Sequence, residues 1–284
     1  MKSILTRIGK TIALPLAIFI IFSISGSSSF ATGRTLYVVL QQTIGTVIVA
    51  YGFAYASMIG ITDFSIGARL ILSQIIGGIC SSRFGVPGLI VGCMLTSVIC
   101  GILSAIIFRT AKIPSFIVAF GLVLIFEVFG SLAAQAYGGT VILSRATSIL
   151  GRTPWNFIIL AFSGVLFSVI YYRTKFSYLV RAIGSNEIIC KNAGIDTMRV
   201  KCQTYIVGSV FIGIGAIVLL SYSSAIGSQM GMATMSQLFK PMMAFMIAKA
   251  ISKNCPIPLG IIVGMFSLNL LFTGIIAICL IDAF

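Results

Sequence analysis

The chain has no histidine, and only five of its 284 residues are acidic. Its seven cysteines form no C-x-x-C pair. Metal sites in proteins are built mainly from histidine, clustered cysteine and carboxylate side chains. These shortages therefore disfavour a metal centre and histidine-based catalysis, and we expect the chain to hold no cofactor of its own.

Charged residues of either sign are also scarce. They make up 8% of the chain, apolar residues make up 58%, and the mean hydropathy is +1.13. Soluble domains carry about 25% charged and about 45–50% apolar residues. This composition indicates a polytopic membrane protein. The apolar runs do not alternate with a period of two, so we expect an all-α transmembrane bundle of about 8–10 helices forming one domain over residues 1–284.

The apolar runs predict where the chain crosses a bilayer. Runs long enough for roughly 30 Å of hydrocarbon lie near residues 12–29, 36–60, 86–108, 113–134, 156–172, 203–222 and 257–281. Two shorter runs, 66–82 and 237–251, predict partial or broken helices. The basic and then apolar N-terminus also fits a signal peptide cleaved near Ser29 and Ala31, but we favour an uncleaved first helix because further spans follow.

The distribution of basic residues predicts the orientation. With the N-terminus in the cytoplasm, most of the nineteen Lys and Arg residues fall on the cytoplasmic side, as the positive-inside rule requires. The net charge of +14 is therefore explained without a nucleic-acid partner. We expect a multi-pass membrane protein with a cytoplasmic N-terminus, in contact with membrane lipids.

A short internal repeat occurs after each of the two short runs. FGVPGLIVGCM begins at Phe84 and CPIPLGIIVGM begins at Cys255, and each copy has a proline, the letters IVG and a G-x-x-x-G pair. Small residues one turn apart allow close helix contact in lipid. Because the predicted spans place the copies in opposite orientations, the pattern predicts inverted repeats around a substrate path.

Two of the five acids lie where a carboxylate is costly. Glu127 lies inside an apolar run, which makes it a functional candidate by default, although a structural role as a partner of arginine or of a helix end is also open. Asp63 lies between a long run and a short one, and we favour a role as the cap of a helix beginning at Phe64. With Gln41, Ser65 and Asn269, these residues form the predicted translocation path.

The segment RAIGSNEIICKNAGIDTMRVK, residues 181–201, is the most polar part of the chain. Ser185 and Asn186 are candidates for a helix N-cap, Glu187 and Lys191 are spaced for an i,i+4 ion pair, and Gly194 is a C-terminal stop. The pattern predicts a helix of about two turns. Such a helix needs support, and its apolar Ile188, Ile189 and Ala193 could enter a partner's groove.

This segment resembles the cytoplasmic coupling loop of the permease subunits of ribose-type bacterial ABC importers, whose phrase is AxGxNxxAAxxxGIxxxxxK. Gly184, Asn186, Gly194, Ile195 and Lys201 fit this phrase, whereas Ile189 and Cys190 replace a small pair. ITDFSIGA, KIPSFIVAFGLVLIFEVFG and LNLL resemble further phrases of the family in the same order. The glycine-rich phrase before the last repeat is replaced by IAKAISKNCPIPLG, within the altered region 247–260, and the C-terminal end is also altered.

The resemblance implies a permease subunit, not an enzyme, for a small polar solute, most simply a monosaccharide or related carbohydrate. Its implied partners are an ABC ATPase subunit that binds ATP and Mg²⁺, a second permease copy and an extracytoplasmic solute-binding protein. Residues 173–202 would be the coupling loop, with the ATPase contact formed by Gly184, Ser185, Asn186, Glu187, Ile188, Ile189, Ala193, Gly194, Ile195 and Lys201. The chain itself has only the fragment GKT at residues 9–11, which lacks the upstream glycine of a phosphate-binding loop.

Other functions remain open at this point. Related branches of the superfamily carry nucleosides or branched-chain amino acids. An ion-coupled secondary transporter could use Glu127 as its titrating group, but it would leave the polar segment unexplained. A membrane enzyme with Asp63 as a base is disfavoured, because no nucleophile and base pair accompanies it.

Overall fold

The computed structural model describes residues 2–25, 32–111 and 113–282, so the cleavage site considered at Ser29 and Ala31 lies outside the described residues. The described residues form ten α-helices: α1 Lys2–Ser25, α2 Gly33–Met58, α3 Ile66–Ala111, α4 Ser115–Gln135, α5 Trp155–Arg173, α6 Lys175–Ser185, α7 Glu187–Asn192, α8 Thr197–Ser223, α9 Ser236–Ala250 and α10 Ile257–Asp282. Two 3₁₀ turns lie at Thr147–Gly151 and Ala233–Met235. The predicted polytopic helical bundle is confirmed.

Six of these helices are long and apolar enough to cross a membrane. They are Gly33–Met58, Ile66–Ala111, Ser115–Gln135, Trp155–Arg173, Thr197–Ser223 and, within α10, Ile257–Ile278. The apolar part of α1, Thr11–Ile24, is shorter. This is therefore a multi-pass membrane protein.

Helix α3 is a hairpin of two arms rather than one straight rod. Gly85 has φ 63° and ψ −144°, a left-handed conformation that is costly for residues with a Cβ. A Cβ built on Gly92 would lie 2.9 Å from the Cα of Gly77. The arms, 66–84 and 86–111, therefore fold back on each other, as the separate apolar runs predicted.

The second copy of the repeat packs in the same way. Helix α10 follows α9 after a short turn, and a Cβ on Gly264 would lie 2.8 Å from the carbonyl oxygen of Ala244, while one on Gly260 would lie 3.2 Å from the Cα of Ala248. In the first copy, Gly88 meets the carbonyl oxygen of Cys80 in the preceding arm. Each G-x-x-x-G pair thus lets a returning helix approach the short helix before it.

Helices α2 and α8 form the centre of the bundle. Their backbones meet where a Cβ on Gly52 would lie 2.7 Å from the carbonyl oxygen of Gly208. Helix α8 also packs along α3, and α2 packs along α9 and α10. Beside them, the buried rings of Tyr51 and Phe167 stack with centroids 4.7 Å apart, which joins α5 to this core.

A two-stranded antiparallel sheet ties two connections together. Strand β1, Thr140–Ile142, follows α4, and strand β2, Ala225–Gly227, follows α8. Val141 pairs with Ile226 at the middle of the register. These strands were not predicted from the sequence, and the all-α class is correct apart from them.

Candidate functional site

A buried ion pair lies at the start of α3. Asp63 and Arg69 are each 1% exposed, and the Arg69 guanidinium donates to Asp63 Oδ2. The other carboxylate oxygen accepts the Ser65 backbone N–H at 3.0 Å and its hydroxyl at 2.6 Å. Asp63 therefore accepts a free N–H, as expected of a cap, but α3 begins at Ile66 rather than Phe64 because the Ser65 turn precedes it.

The ion pair is anchored to the central helix α8. Arg69 Nη1 donates to Ser209 Oγ at 3.0 Å, and its guanidinium lies 5.9 Å from the centroid of the Tyr205 ring. Arg69 Nε and Tyr205 Oη are buried and have no hydrogen-bond partner among the described residues. This centre therefore carries two buried donors beyond those that the ion pair uses.

Glu127 holds the beginning of the second short helix. Its carboxylate accepts the backbone N–H of Met232 at 2.8 Å, the backbone N–H of Thr234 at 3.0 Å and the Thr234 hydroxyl at 2.6 Å. These donors lie just before α9. These contacts are those of a structural partner for a helix end, which is one of the roles considered for Glu127.

The starts of the two short helices meet at this point. A Cβ on Gly67, in the first turn of α3, would collide with the carbonyl oxygen of Thr234. The Asp63–Arg69 pair and the Glu127 contacts therefore lie on two sides of one junction between the repeats. Converging helix starts of this kind are found where membrane transporters bind solutes.

The other predicted path residues lie away from this junction. Gln41 Nε2 donates to Tyr37 Oη at 2.8 Å and to Thr153 Oγ1 at 3.0 Å, and its amide oxygen accepts from Asn156. Tyr37, Gln41 and Thr153 border a pocket of about 420 Å³ near the start of α2. Asn269 instead donates to Thr43 Oγ1 at 3.1 Å, joining α10 to α2. The five predicted path residues thus fall at three places.

Several residues at these places were not predicted from the sequence. They are Arg69, the partner of Asp63, and Ser209, Tyr205 and Thr234. Of these, only Arg69 carried a sequence signal, since a buried cation near a buried carboxylate is a candidate ion pair.

The polar segment folds as two short helices joined at Asn186. Asn186 Oδ1 accepts the Ile189 N–H at 3.1 Å, so Asn186 caps α7, whereas Ser185 is the last residue of α6. Gly194 has φ 80° and follows the end of α7. The Gly194 and Ile195 N–H groups donate back to Lys191 and Cys190, each at 3.1 Å. These bonds form a Schellman motif, which confirms the predicted stop.

The ion pair predicted within this segment has a different partner. Glu187 Oε1 accepts from Lys201 Nζ at 2.6 Å, so the i,i+4 pairing with Lys191 was wrong. The reason is tertiary: α7 folds against the start of α8, which brings Lys201 to the first turn of α7. Helix α6, which begins at the cap Thr174, was also not predicted, because its charges were interpreted as loop.

One face of α7 is buried and the other is exposed. Cys190 packs with Ile59, Val180, Ile183 and Val200. The side chains of Ile188 and Ile189 are 71% and 65% exposed, and Ala193 is exposed as well. Of the two positions where the resembled family has small residues, Cys190 therefore faces inwards and Ile189 outwards.

In the part of the chain that the structure describes, no three His, Cys, Asp or Glu side chains lie close enough together to hold a metal ion. The candidate sites are the buried polar junction around Asp63, Arg69 and Glu127 and the exposed apolar face of α7.

Two known permeases are similar in sequence to this chain. The fructose import permease protein FrcC of Rhizobium meliloti is 22% identical over 237 residues, which cover 77% of this chain and 66% of that protein. The galactofuranose transporter permease protein YtfT of Escherichia coli is 23% identical over 190 residues, covering 64% and 54%. The chain thus matches less than two thirds of the length of either relative. No solved structure matches it.

The family model described as branched-chain amino acid transport system / permease component matches residues 35–279. This range includes both copies of the repeat, the buried junction and the segment that contains α6 and α7. The resemblance identified from the sequence phrases is therefore confirmed. The chain is a transmembrane permease that belongs to the branched-chain amino acid transport system / permease component family.

Proposed function

We propose that this chain is the permease subunit of an ATP-driven importer of a small polar solute, most simply a monosaccharide or related carbohydrate. One observation carries the ATP-driven part of the proposal. Helix α7 is capped at both ends and held to α8, yet it presents Ile188 and Ile189 to solvent. A rigid helix with an exposed apolar pair is suited to insertion into a partner's groove. The partner is an ABC ATPase subunit, which supplies ATP and Mg²⁺.

The contacts of α6 and α7 support a route for movement into the membrane. Gly184 in α6 packs so closely on Met58, at the end of α2, that a Cβ would collide with the Met58 carbonyl oxygen. Glu187 in α7 is bonded to Lys201 in α8. A force on α7 therefore reaches α2 and α8, the two helices that form the centre of the bundle.

The same two helices border the proposed solute path. Asp63 and Ser65 follow the end of α2, and Ser209 and Tyr205 lie on α8. Rearrangement of α2 against α8 would open the junction and offer its hydroxyl, carboxylate and guanidinium groups to a hydroxyl-rich solute. Gln41 would contribute at the far end of α2, and Glu127 would keep the start of α9 in position.

The names of both relatives support the choice of solute, since one is a fructose permease and the other a galactofuranose permease.

The remaining partners are a second permease copy and an extracytoplasmic solute-binding protein. The proposed location is the bacterial plasma membrane, with the N-terminus and α7 in the cytoplasm. Nucleosides and branched-chain amino acids are the alternative solutes within the family.

An ion-coupled mechanism based on Glu127 has less support. The Glu127 carboxylate is buried and accepts three hydrogen bonds from the segment before α9. A proton carrier must instead be able to release such partners in each cycle. These contacts favour a fixed structural carboxylate.

Uptake into proteoliposomes tests the proposal. The chain is reconstituted with the ATPase and binding-protein subunits proposed as its partners, and uptake of radiolabelled fructose, adenosine and leucine is measured with ATP or with a proton gradient alone. We expect uptake of the sugar only with ATP, and unchanged dependence on ATP when Glu127→Gln is introduced. Uptake driven by the gradient without the ATPase would contradict the proposal. Uptake of adenosine or leucine, without uptake of fructose, would show that the solute is not a carbohydrate.

A further inference from the structure

A second polar pocket lies on the same side of the bundle as α6. Its volume is about 480 Å³, and it is an open pocket bordered by the end of α5, by α6 and by the turn between α9 and α10. Its lining includes Tyr171, Tyr172, Arg181, Lys253, Asn254 and Cys255. It is separate from the junction between the repeats and from the exposed Ile188 and Ile189 of α7.

Two positive charges line this pocket, and none of its lining residues is acidic. The cations are Arg181 and Lys253. Burial raises the pKa of the Cys255 thiol above its ordinary value, an effect that a hydrogen bond with Thr11 opposes, so the thiol stays neutral. The pocket therefore carries uncompensated positive charge.

Arg181 is held in position at the wall of the pocket. Its Nε donates to the Ser177 carbonyl oxygen at 3.3 Å, and its guanidinium lies 5.1 Å and 4.8 Å from the centroids of the Tyr171 and Tyr178 rings. A fixed, planar guanidinium is the side chain best suited to a phosphate group, because it can donate two parallel hydrogen bonds. Lys253 adds a point charge from the turn between α9 and α10.

The pocket lies at the level where the apolar helices end. Tyr171 and Tyr172 are in the last turn of α5, and α10 begins at Ile257. Tyrosines at helix ends are typical of the headgroup region of a bilayer. Basic pockets between helices on the cytoplasmic side attract anionic lipid headgroups. The location thus selects a phosphate carried by a lipid over one in free solution.

We infer that this pocket binds the phosphate group of an anionic phospholipid. Lys253, Asn254, Cys255 and Pro256 belong to the region 247–260, where the chain departs from the sequence phrase of the family it resembles. The altered region therefore lies beside α6. It supplies the second cation and most of one wall of the pocket.

Native mass spectrometry of the purified full chain tests this inference, with phosphatidylglycerol and phosphatidylcholine as probes. We expect tighter binding of phosphatidylglycerol, and a loss of its affinity of roughly 10- to 30-fold in the double variant R181Q/K253Q, since each basic residue near the headgroups contributes to the attraction. The matched control R109Q/R199Q removes two exposed cations that do not line the pocket, and its affinity should not change.

An equal loss in both double variants, or equal binding of the two lipids by the wild type, would overturn the inference. Inorganic phosphate and glycerol phosphate are added as competitors: displacement of the lipid by either shows that the pocket also accepts a free phosphate group, and no displacement assigns it to lipid alone. If the double variant does not fold, K253E on the exposed turn is used, and undiminished phosphatidylglycerol binding by K253E would refute the site.

Discussion

Asp63 and Arg69 illustrate how a nearly uncharged chain uses the few charges it has. A single ionised group in the bundle would carry a large desolvation cost, whereas the pair with Ser65 and Ser209 has partners for most of its polar atoms. Removing one partner leaves the other charge buried and unpaired. The pair is therefore more sensitive to a single substitution than to a double one.

We predict that Arg69→Gln destabilises the protein by about 3–5 kcal/mol, the usual cost of breaking a buried ion pair from one side. The measurement is thermal unfolding of the purified chain in detergent. The double variant D63N/R69Q, which removes both charges, should recover part of the loss. If the loss of stability in the double variant equals the sum of the losses in D63N and R69Q, the two charges do not act as a pair.

At the scale of residues, the sequence identified the unusual groups but not their partners. Asp63 and Glu127 were recognisable because acids are so rare here. Arg69, six positions after Asp63, is outside the i,i+3 and i,i+4 spacings that a helix pairs, so the turn at Ser65 had to be seen first. The donors to Glu127 lie more than a hundred residues away in the chain, and most of them are backbone groups, which no side-chain pattern indicates.

At the scale of elements, α7 was predictable because its signals are local. Asn186, Gly194 and the apolar residues between them specify a capped helix wherever the segment lies. Helix α6 was missed because tertiary contact, through Val180 and Ile183, stabilises a stretch whose charges also fit a loop. The strands β1 and β2 were missed because each has only three residues and they pair across two distant connections.

The conformation of Gly194 gives a prediction for α7. With φ at 80°, a β-branched residue here would be strained by roughly 1–2 kcal/mol, and the Schellman bonds would weaken. We expect Gly194→Val to speed hydrogen exchange of the α7 amides, as measured by mass spectrometry. Gly194→Asn is the matched control, since asparagine tolerates this conformation. Equal exchange in the two variants would mean that the stop does not hold α7.

At the scale of the whole molecule, the two hairpins, α3 and α9–α10, surround the α2–α8 pair. The apolar runs and the G-x-x-x-G pairs predicted the two hairpins, because each depends on neighbouring stretches of sequence, but they did not predict the central α2–α8 pair. The contact between Gly67 and Thr234 could not be predicted, since it depends on how the two repeats meet. The orientation in the membrane stays a prediction from the distribution of basic residues.

Cysteine labelling tests that orientation. Arg145 lies in the connection between α4 and α5, and Ser252 lies in the turn between α9 and α10; both are exposed. In intact bacterial cells, a membrane-impermeant maleimide should label R145C more than the unsubstituted chain, and should label S252C only after permeabilisation. The reverse pattern would place α7 outside the cell and exclude an ATPase contact.

The coupling of ATP hydrolysis to uptake by α7 is the central claim, and the variant I188D/I189D tests it most directly. In proteoliposomes with the ATPase and binding-protein subunits, we expect solute uptake per ATP hydrolysed to fall roughly tenfold or more, because two carboxylates replace the apolar contact. Membrane insertion should be normal, and the conservative I188V/I189V should transport like the wild type. Normal uptake per ATP by I188D/I189D would contradict the account.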